Sequence, residues 1–507
     1  MSCAGSTTWA TAPTSARRIR ALVAVRTRTE TAGARIVGDR EPPAEVAGRL
    51  GRRWRRLKAL QSQRRCIAIQ DTHAVDATVH AQPGEPCGFC CEEPSWGSGI
   101  AFDEHVGLRH VPEATAGAAN RFVAPIVPTG MTTQVQTHDV LDLPGALRAS
   151  IEASVEEADG LGDIPSRLHD ELRDAGAFRL LTPRELGGWA APLPTALSVY
   201  EKFGRIDGSV GLLVWNTNFG FIGAMLPETG NKRIWGTGVE PVFANSGMPG
   251  TATPTNGGFQ LSGHWKIVTG IRSATWIVVV GIVTGDTNGA PDVRLFAVPT
   301  DQIDIQDTWN VTGLRATGSR DVVIDDVFVP EDLATRLDAP VNTDSPVYRG
   351  FIGNLVFGGC AAVTLGIAAH MIEETVTLVR SKASVVGGVV ADATRTQYLV
   401  AKAQASVDAA RLLLLSTASE LADAGDQLTL DQRAAHRAAI THAAEVSRIA
   451  LVDMYNLAGS SALYRTNTIE RIFRDGMAAT QHANQSALFM EGAGRVRLGM
   501  DHGLPLF

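Results

Sequence analysis

Long apolar runs are missing from this sequence: none reaches the ~18–20 residues needed to cross a bilayer, the longest candidates being stretches such as "TWIVVVGIV" at 275–283. No membrane span is expected. Cysteine is scarce and lopsided. Five of the six (Cys3, Cys66, Cys87, Cys90, Cys91) lie before residue 130 and only Cys360 after it, so the rest of the chain needs no disulfides and suits a reducing cytoplasm. Metal-ligand spacing is lacking too: "CGFCCEE" at 87–93 holds one CxxC without the second pair that a zinc site needs, and His73, His80, His105 and His110 have no regular spacing. A dinucleotide-binding unit is also excluded. Gly492, Ala493, Gly494 and Gly499 imitate its glycine pattern, but the unit requires a helix and a second strand afterwards, and only eight residues follow Gly499.

What is present is a chain of 507 residues with 44% apolar and 20% charged content, enough for two or three domains around a large core. Residues 1–130 carry 17 Lys+Arg against 12 Asp+Glu, while the whole chain has 46 against 53. The remainder is therefore strongly acidic, and a nucleic-acid surface is not expected there. Residues 1–130 show no sustained helical or strand period. Their arginine-rich strings, such as "RLGRRWRRLKALQSQRRC", would suit a targeting or nucleic-acid-binding arm. The plainer expectation is a disordered or over-extended segment, with Met131 as the true start.

From 131 to 239 apolar residues recur at helical spacing, as in "IEASVEEADGLGDIPSRLHDELRDAGAFRLL", which predicts an all-helical domain. From 240 to 345 the texture changes to short β-branched runs with turn signals, including "NGG" at 256–258, and predicts a β domain of barrel or sandwich type. From 346 to 507 long Ala- and Leu-rich segments predict a helical bundle. The fold class is thus α+β, multidomain, in the order helices, strands, helices.

That order and four local strings resemble the acyl-CoA dehydrogenase superfamily of flavoproteins over roughly 141–505. The strings are "LTPRELGGWAAPLPTALSVYEKFGRIDGSVG" (181–211), "GGFQLSGHWKIVTGIRSATW" (257–276), "WNVTGLRATGSRDVVIDDVFVPE" (309–331) and "RDGMAATQHANQS" (474–486). In the dehydrogenases of that superfamily a glutamate shortly after an Arg-Asp pair removes the α-proton of an acyl thioester. Here Arg474-Asp475 is followed by Gln481-His482-Ala483, with no carboxylate, and "GFIGNLVFGGCAA" (350–362), the other place for such a base, holds none either. Glu491 in "FMEGAG" sits about two turns too late. A histidine at this point resembles the flavin-dependent monooxygenase branch often called group D, as does the closing "GRVRLGMDHGLPLF".

The resemblance implies an oxygenase component that takes reduced FAD or FMN from a separate flavin reductase, binds O2, forms a C4a-hydroperoxyflavin and hydroxylates a small aromatic or cyclic substrate. It also implies a homotetramer. Two alternatives stand beside it: an acyl-CoA dehydrogenase using an unrecognised base such as Glu491, and a non-catalytic flavin-fold binding protein. His482 is the expected catalytic residue, because an imidazole of pKa about 6.5 delivers or holds a proton near neutrality. If its segment is helical, Asp475, Ala478, Ala479, His482 and Ser486 share one face. The resemblance sets Thr269 and Gly270 against flavin N5, Ser246 at the pyrimidine edge and Arg380 at the phosphate across a subunit boundary. Trp265 either stacks on the ring or fills the β core, and Asn216, Asn218 and Arg315 are weaker candidates for the substrate pocket.

Overall fold

The computed structural model describes residues 140–285, 291–504 and 507. The expectations for residues 1–130, and the Met131 start, lie outside them. The first layer is helical: α1 (Leu143–Leu161), α2 (Ser166–Asp174), α3 (Leu193–Gly204), α4 (Gly208–Thr217) and α5 (Glu228–Trp235). The left-handed Gly162 (φ 66°) stops α1, and the Asp207 carboxylate starts α4 by accepting the Val210 N–H at 3.0 Å. Every residue of α4 is buried, as an all-round apolar helix must be.

The middle is a single seven-stranded sheet: β1 (Phe243–Thr255), β2 (Gly258–Val268), β3 (Trp276–Val283), β4 (Asp292–Pro299), β5 (Asp304–Gln306), β6 (Arg320–Pro330) and β7 (Ala334–Arg336), in the order β5-β6-β2-β1-β3-β4-β7. β1 and β3 run parallel and the other neighbours antiparallel. The β1–β2 hairpin turns at Asn256-Gly257, where Gly257 takes φ 80°. Two bulges, Ser246 to Pro249 in β1 and Trp265 to Val268 in β2, fall at the same open end of that hairpin.

A helical turn (Asn354–Phe357) leads into α6 (Gly359–Ser381), followed by α7 (Thr394–Ala424), α8 (Leu430–Ala458), α9 (Thr468–Ala479) and α10 (Ala487–Arg497). α6 to α9 form the four-helix bundle. The segment Asn354–Ser381 is long and apolar enough to cross a membrane by length and composition, a property that scanning for unbroken apolar runs overlooks. In the fold 83% of its apolar window is buried, because it is the central strut of the bundle. Glycines let α3 approach it closely: a Cβ on Gly366 would stand 2.1 Å from Glu201 O, and one on Gly204 would stand 2.6 Å from Val363 O.

Candidate active site

The site is organised around α4, whose uniformly buried surface accepts a different element on each flank. On one flank a Cβ on Gly270 would stand 2.6 Å from Leu213 Cδ1, so glycine alone, here at φ 71°, lets the end of β2 close on the helix. Next to it Asn245 of β1 donates through Nδ2 to Asn216 O (2.8 Å) and Asn216 Oδ1 (3.0 Å), which ties the sheet to α4. On the far flank Trp215 packs edge-on against His482, with ring centroids 4.9 Å apart at 75°, and donates through Nε1 to Val356 O at 3.1 Å. Gly359 faces the indole so closely that a Cβ there would stand 2.0 Å from Trp215 Cδ1. Thr269-Gly270 and His482 are thus brought to one helix from opposite sides.

The helical setting expected for His482 is corrected by the structure. α9 ends at Ala479 with Thr480 as its cap, Thr480 Oγ1 donating back to Met477 O at 2.9 Å, and α10 begins only at Ala487. His482 lies between them in extended conformation (φ −62°, ψ 135°) and caps a short turn: its Nδ1 accepts the Asn484 N–H at 3.2 Å. It therefore shares no helical face with Asp475, Ala478, Ala479 and Ser486, and it is followed by a further helix. The backbone bond to Nδ1 leaves the proton of the neutral ring on Nε2. Burial against apolar neighbours, unopposed by any acid, pushes the imidazole down to about 4. The expected group with a pKa near neutrality is instead a neutral ring with a fixed tautomer, able to donate from Nε2 and to accept a proton only under strong demand.

The β-domain side of the site is a hydroxyl cluster beside an apolar ledge. Thr269 Oγ1 lies 3.0 Å from Ser319 Oγ, which lies 2.8 Å from Thr317 Oγ1, which donates to Leu314 O at 2.8 Å. Leu314 is left-handed (φ 54°), and its N–H donates to Asp475 Oδ1 at 2.6 Å. Asp475 is buried, and that burial, reinforced by the negative charge of Asp207, pushes its carboxyl up to about 7. Two residues before Thr269, the β2 bulge holds Ile267 left-handed at φ 58° with 64% of its surface exposed. A β-branched side chain in that conformation is strained, and Asp321 Oδ1 holds it there by accepting the Ile267 N–H at 3.2 Å. Met248 in the neighbouring bulge is 52% exposed. A flat ring system with polar edges fits this pairing of exposed apolar ledge and hydroxyl, so the residues present suit a flavin.

The remaining expected residues divide. Ser246 sits half-buried in the β1 bulge, its Oγ accepting the Met248 N–H at 3.5 Å. Trp265 is fully buried, donates to Met248 O at 2.7 Å and lies over the bare Gly250 and Gly263, so of its two readings it fills the β core. Asn218 faces no pocket: Oδ1 accepts the N–H of Leu180 (2.6 Å) and Leu181 (3.4 Å), and Nδ2 donates to Val214 O (2.6 Å) and Ala177 O (2.8 Å). Arg315 is occupied in pinning its loop to α1 through Asp159 O at 2.9 Å and in bonding Val311 O at 3.1 Å. Arg380 is exposed at the end of α6 and Glu491 exposed on α10. A cavity of 250 Å³ lined by residues including Arg233, Trp276, Gln302 and Phe328 shares no residue with this site. Sequence reading missed Trp215, Ile267, Thr317 and Ser319, and placed Asp475 only as a neighbour of His482 on one helical face. The "ATGS" of 316–319 was the one available signal, a run of small hydroxyl residues beside a glycine.

A helical domain, a central sheet and a helical bundle in this order make up the architecture of the acyl-CoA dehydrogenases. Residues 145–234 match the family model for the acyl-CoA dehydrogenase N-terminal domain and residues 358–487 that for the C-terminal domain. An indole-3-acetate monooxygenase from Acinetobacter baumannii is 31% identical over 359 residues, covering 69% of this chain and 91% of the relative. The oxygenase subunit of a flavin-dependent monooxygenase from Rhodococcus jostii is 28% identical, covering 71% and 97%. XiaF from Streptomyces sp., solved with FADH2 and glycerol, superposes with a TM-score of 0.67 at 23% identity, covering 72% and 96%, and shows the shared fold. The chain belongs to the acyl-CoA dehydrogenase superfamily, in its flavin-dependent monooxygenase branch, and is an enzyme.

Proposed function

We propose that this enzyme takes reduced flavin, FAD or FMN, from a separate flavin reductase and uses O2 to hydroxylate a small aromatic or cyclic substrate. The observation that carries this reading is the neutral His482 packed on Trp215 where the dehydrogenase reaction would need a carboxylate. Exposed on α10, Glu491 is no substitute base in this chain. The Rhodococcus jostii relative, an oxygenase subunit, supports a separate reductase, and the FADH2 bound to XiaF supports a reduced flavin.

Bound reduced flavin supplies the electrons that activate O2. The chain's own part would be positioning: Thr269, Met248 and Ile267 would hold the ring, α4 with Trp215 would close the space toward the bundle, and His482 Nε2–H would offer a hydrogen bond to the substrate. Large apolar side chains left exposed on the bundle, Leu412 (63%) on α7 and Ile449 (54%) on α8 among them, support a homotetramer in which Arg380 reaches a neighbour's flavin phosphate. Free Cys360 supports a cytoplasmic location.

The test mixes the full chain and reduced flavin, prepared without oxygen, with oxygenated buffer and follows the flavin absorbance. A delay between the reduced and oxidised spectra that shortens in His482→Ala is expected. Reoxidation as fast as that of free flavin overturns the reading.

A further inference from the structure

The hydroxyls of Thr269, Ser319 and Thr317 make a chain with one end fixed. Thr317 Oγ1 is 2.8 Å from Leu314 O, which has nothing to donate, so this bond uses the only proton that Thr317 has. Ser319 Oγ, 2.8 Å from Thr317 Oγ1, must then donate to it, and Thr269 Oγ1, 3.0 Å from Ser319 Oγ, must donate in turn. The three residues are 4%, 1% and 0% exposed, which keeps water from supplying alternative partners. The fixed end is itself held in place, because the left-handed Leu314 is gripped by Asp475 through its N–H at 2.6 Å. Thr269 is left with lone pairs and no free proton.

We propose that this directed chain makes Thr269 a pure acceptor and thereby selects reduced flavin, whose N5 carries a proton to donate, over oxidised flavin, whose N5 only accepts. The inference rests on the flavin reading above and adds a specificity device to it: Ser319 and Thr317 are positioning residues that set which redox form is held. For Thr269 to donate to oxidised flavin all three hydroxyls must turn round, and Leu314 O then loses the Thr317 hydroxyl. The two directions differ by one buried hydrogen bond, which corresponds to roughly a fivefold difference in affinity. An enzyme supplied with reduced flavin through solution needs this discrimination, since the oxidised product competes for the same seat.

Equilibrium binding of reduced flavin under anaerobic conditions and of oxidised flavin in air, measured on the full chain, tests it. Thr317→Val frees Ser319 to donate to Thr269 and Thr269 to donate to N5, so the preference for reduced flavin narrows by about fivefold. Ser319→Ala, which leaves Thr269 free to turn, narrows it as well and stands in should the valine variant fail to fold. In a Thr269→Val background the Thr317→Val change has no further effect, because no hydroxyl remains to be aimed. A preference unchanged in both Thr317→Val and Ser319→Ala, with flavin still bound, overturns the proposal and leaves the functional reading intact. A narrowing of equal size without the Thr269 hydroxyl also overturns it. Wild-type protein that binds neither redox form overturns the functional reading, and this inference with it.

Discussion

Replacing Asp475 with asparagine is expected to flatten the pH dependence of stability between pH 6 and 8. Four carboxylates, Asp159, Asp207, Glu470 and Asp475, meet three guanidiniums, Arg315, Arg471 and Arg474, where α9 passes α1, α4 and the Leu314 turn. Arg474 bonds Glu470 at 3.0 Å, Asp159 at 3.1 Å and Thr312 O at 2.7 Å, and comes within 4.0 Å of Asp475. Arg471 donates to Asp207, and Arg315 lies 3.7 Å from Asp159. His370 also faces this cluster, and its burial, helped by the charge of Arg471, pushes its imidazole below the ordinary histidine value. One negative charge is in excess, and the most deeply buried carboxyl, Asp475 at 3% exposure, takes the proton. Burial first and Asp207 second raise it from 3.8 to about 7, against the opposing pull of the Leu314 N–H and the two arginines.

A folded pKa above the unfolded value means that the native state holds a proton the unfolded chain has lost. The stabilisation is complete below 3.8 and disappears as pH rises through about 7. From pH 6 to pH 8 the loss integrates to about 1.4 kcal/mol. Asparagine keeps the acceptor for the Leu314 N–H and cannot titrate. In the wild type the infrared carbonyl stretch of a protonated carboxylic acid is expected at pH 6 and gone at pH 8, with a parallel fall in melting temperature; the variant shows neither change. Absence of the band from the wild type at pH 6, or an equal fall in both proteins, would refute the charge-counting argument.

His482, lowered from 6.5 to about 4 by burial, should titrate far below an ordinary histidine. Its contribution to stability is present above 6.5 and lost as pH falls toward 4, and an NMR ring-proton midpoint between 6 and 7 would contradict this. Asn218→Ala removes four buried hydrogen bonds and should cost about 3 kcal/mol. Calorimetry reads this as a lowered melting temperature, and an unchanged one would mean that the loop at 177–181 does not depend on Asn218.

The order of helices, sheet and bundle was legible in the sequence because each depends on local periodicity: alternation in "DVVIDDVFVP", helical spacing in the first and last thirds, and "NGG" at the hairpin. The likeness to flavin-dependent monooxygenases was legible too, in the absence of any carboxylate from Gln481-His482-Ala483. Tertiary structure decided what those residues do. Periodicity does not separate His482 on a helix from His482 capping a turn: the break after Ala479 is made by Thr480 and His482 folding back on their own backbone, and it is the packing on Trp215 that only the tertiary structure supplies. Asn216 and Asn218 look alike in "WNTNFG", yet one joins the sheet to α4 while the other is saturated by a loop some 40 residues earlier in the chain. The left-handed Ile267, the proton on Asp475 and the Thr269–Ser319 link of the hydroxyl chain arise from groups 50 to 268 positions apart in sequence (475 − 207 = 268 for Asp475 and Asp207). Periodicity records which face of an element is apolar; the direction of a hydrogen bond and the site of an excess proton are set by distances that exist only once the chain has closed on itself.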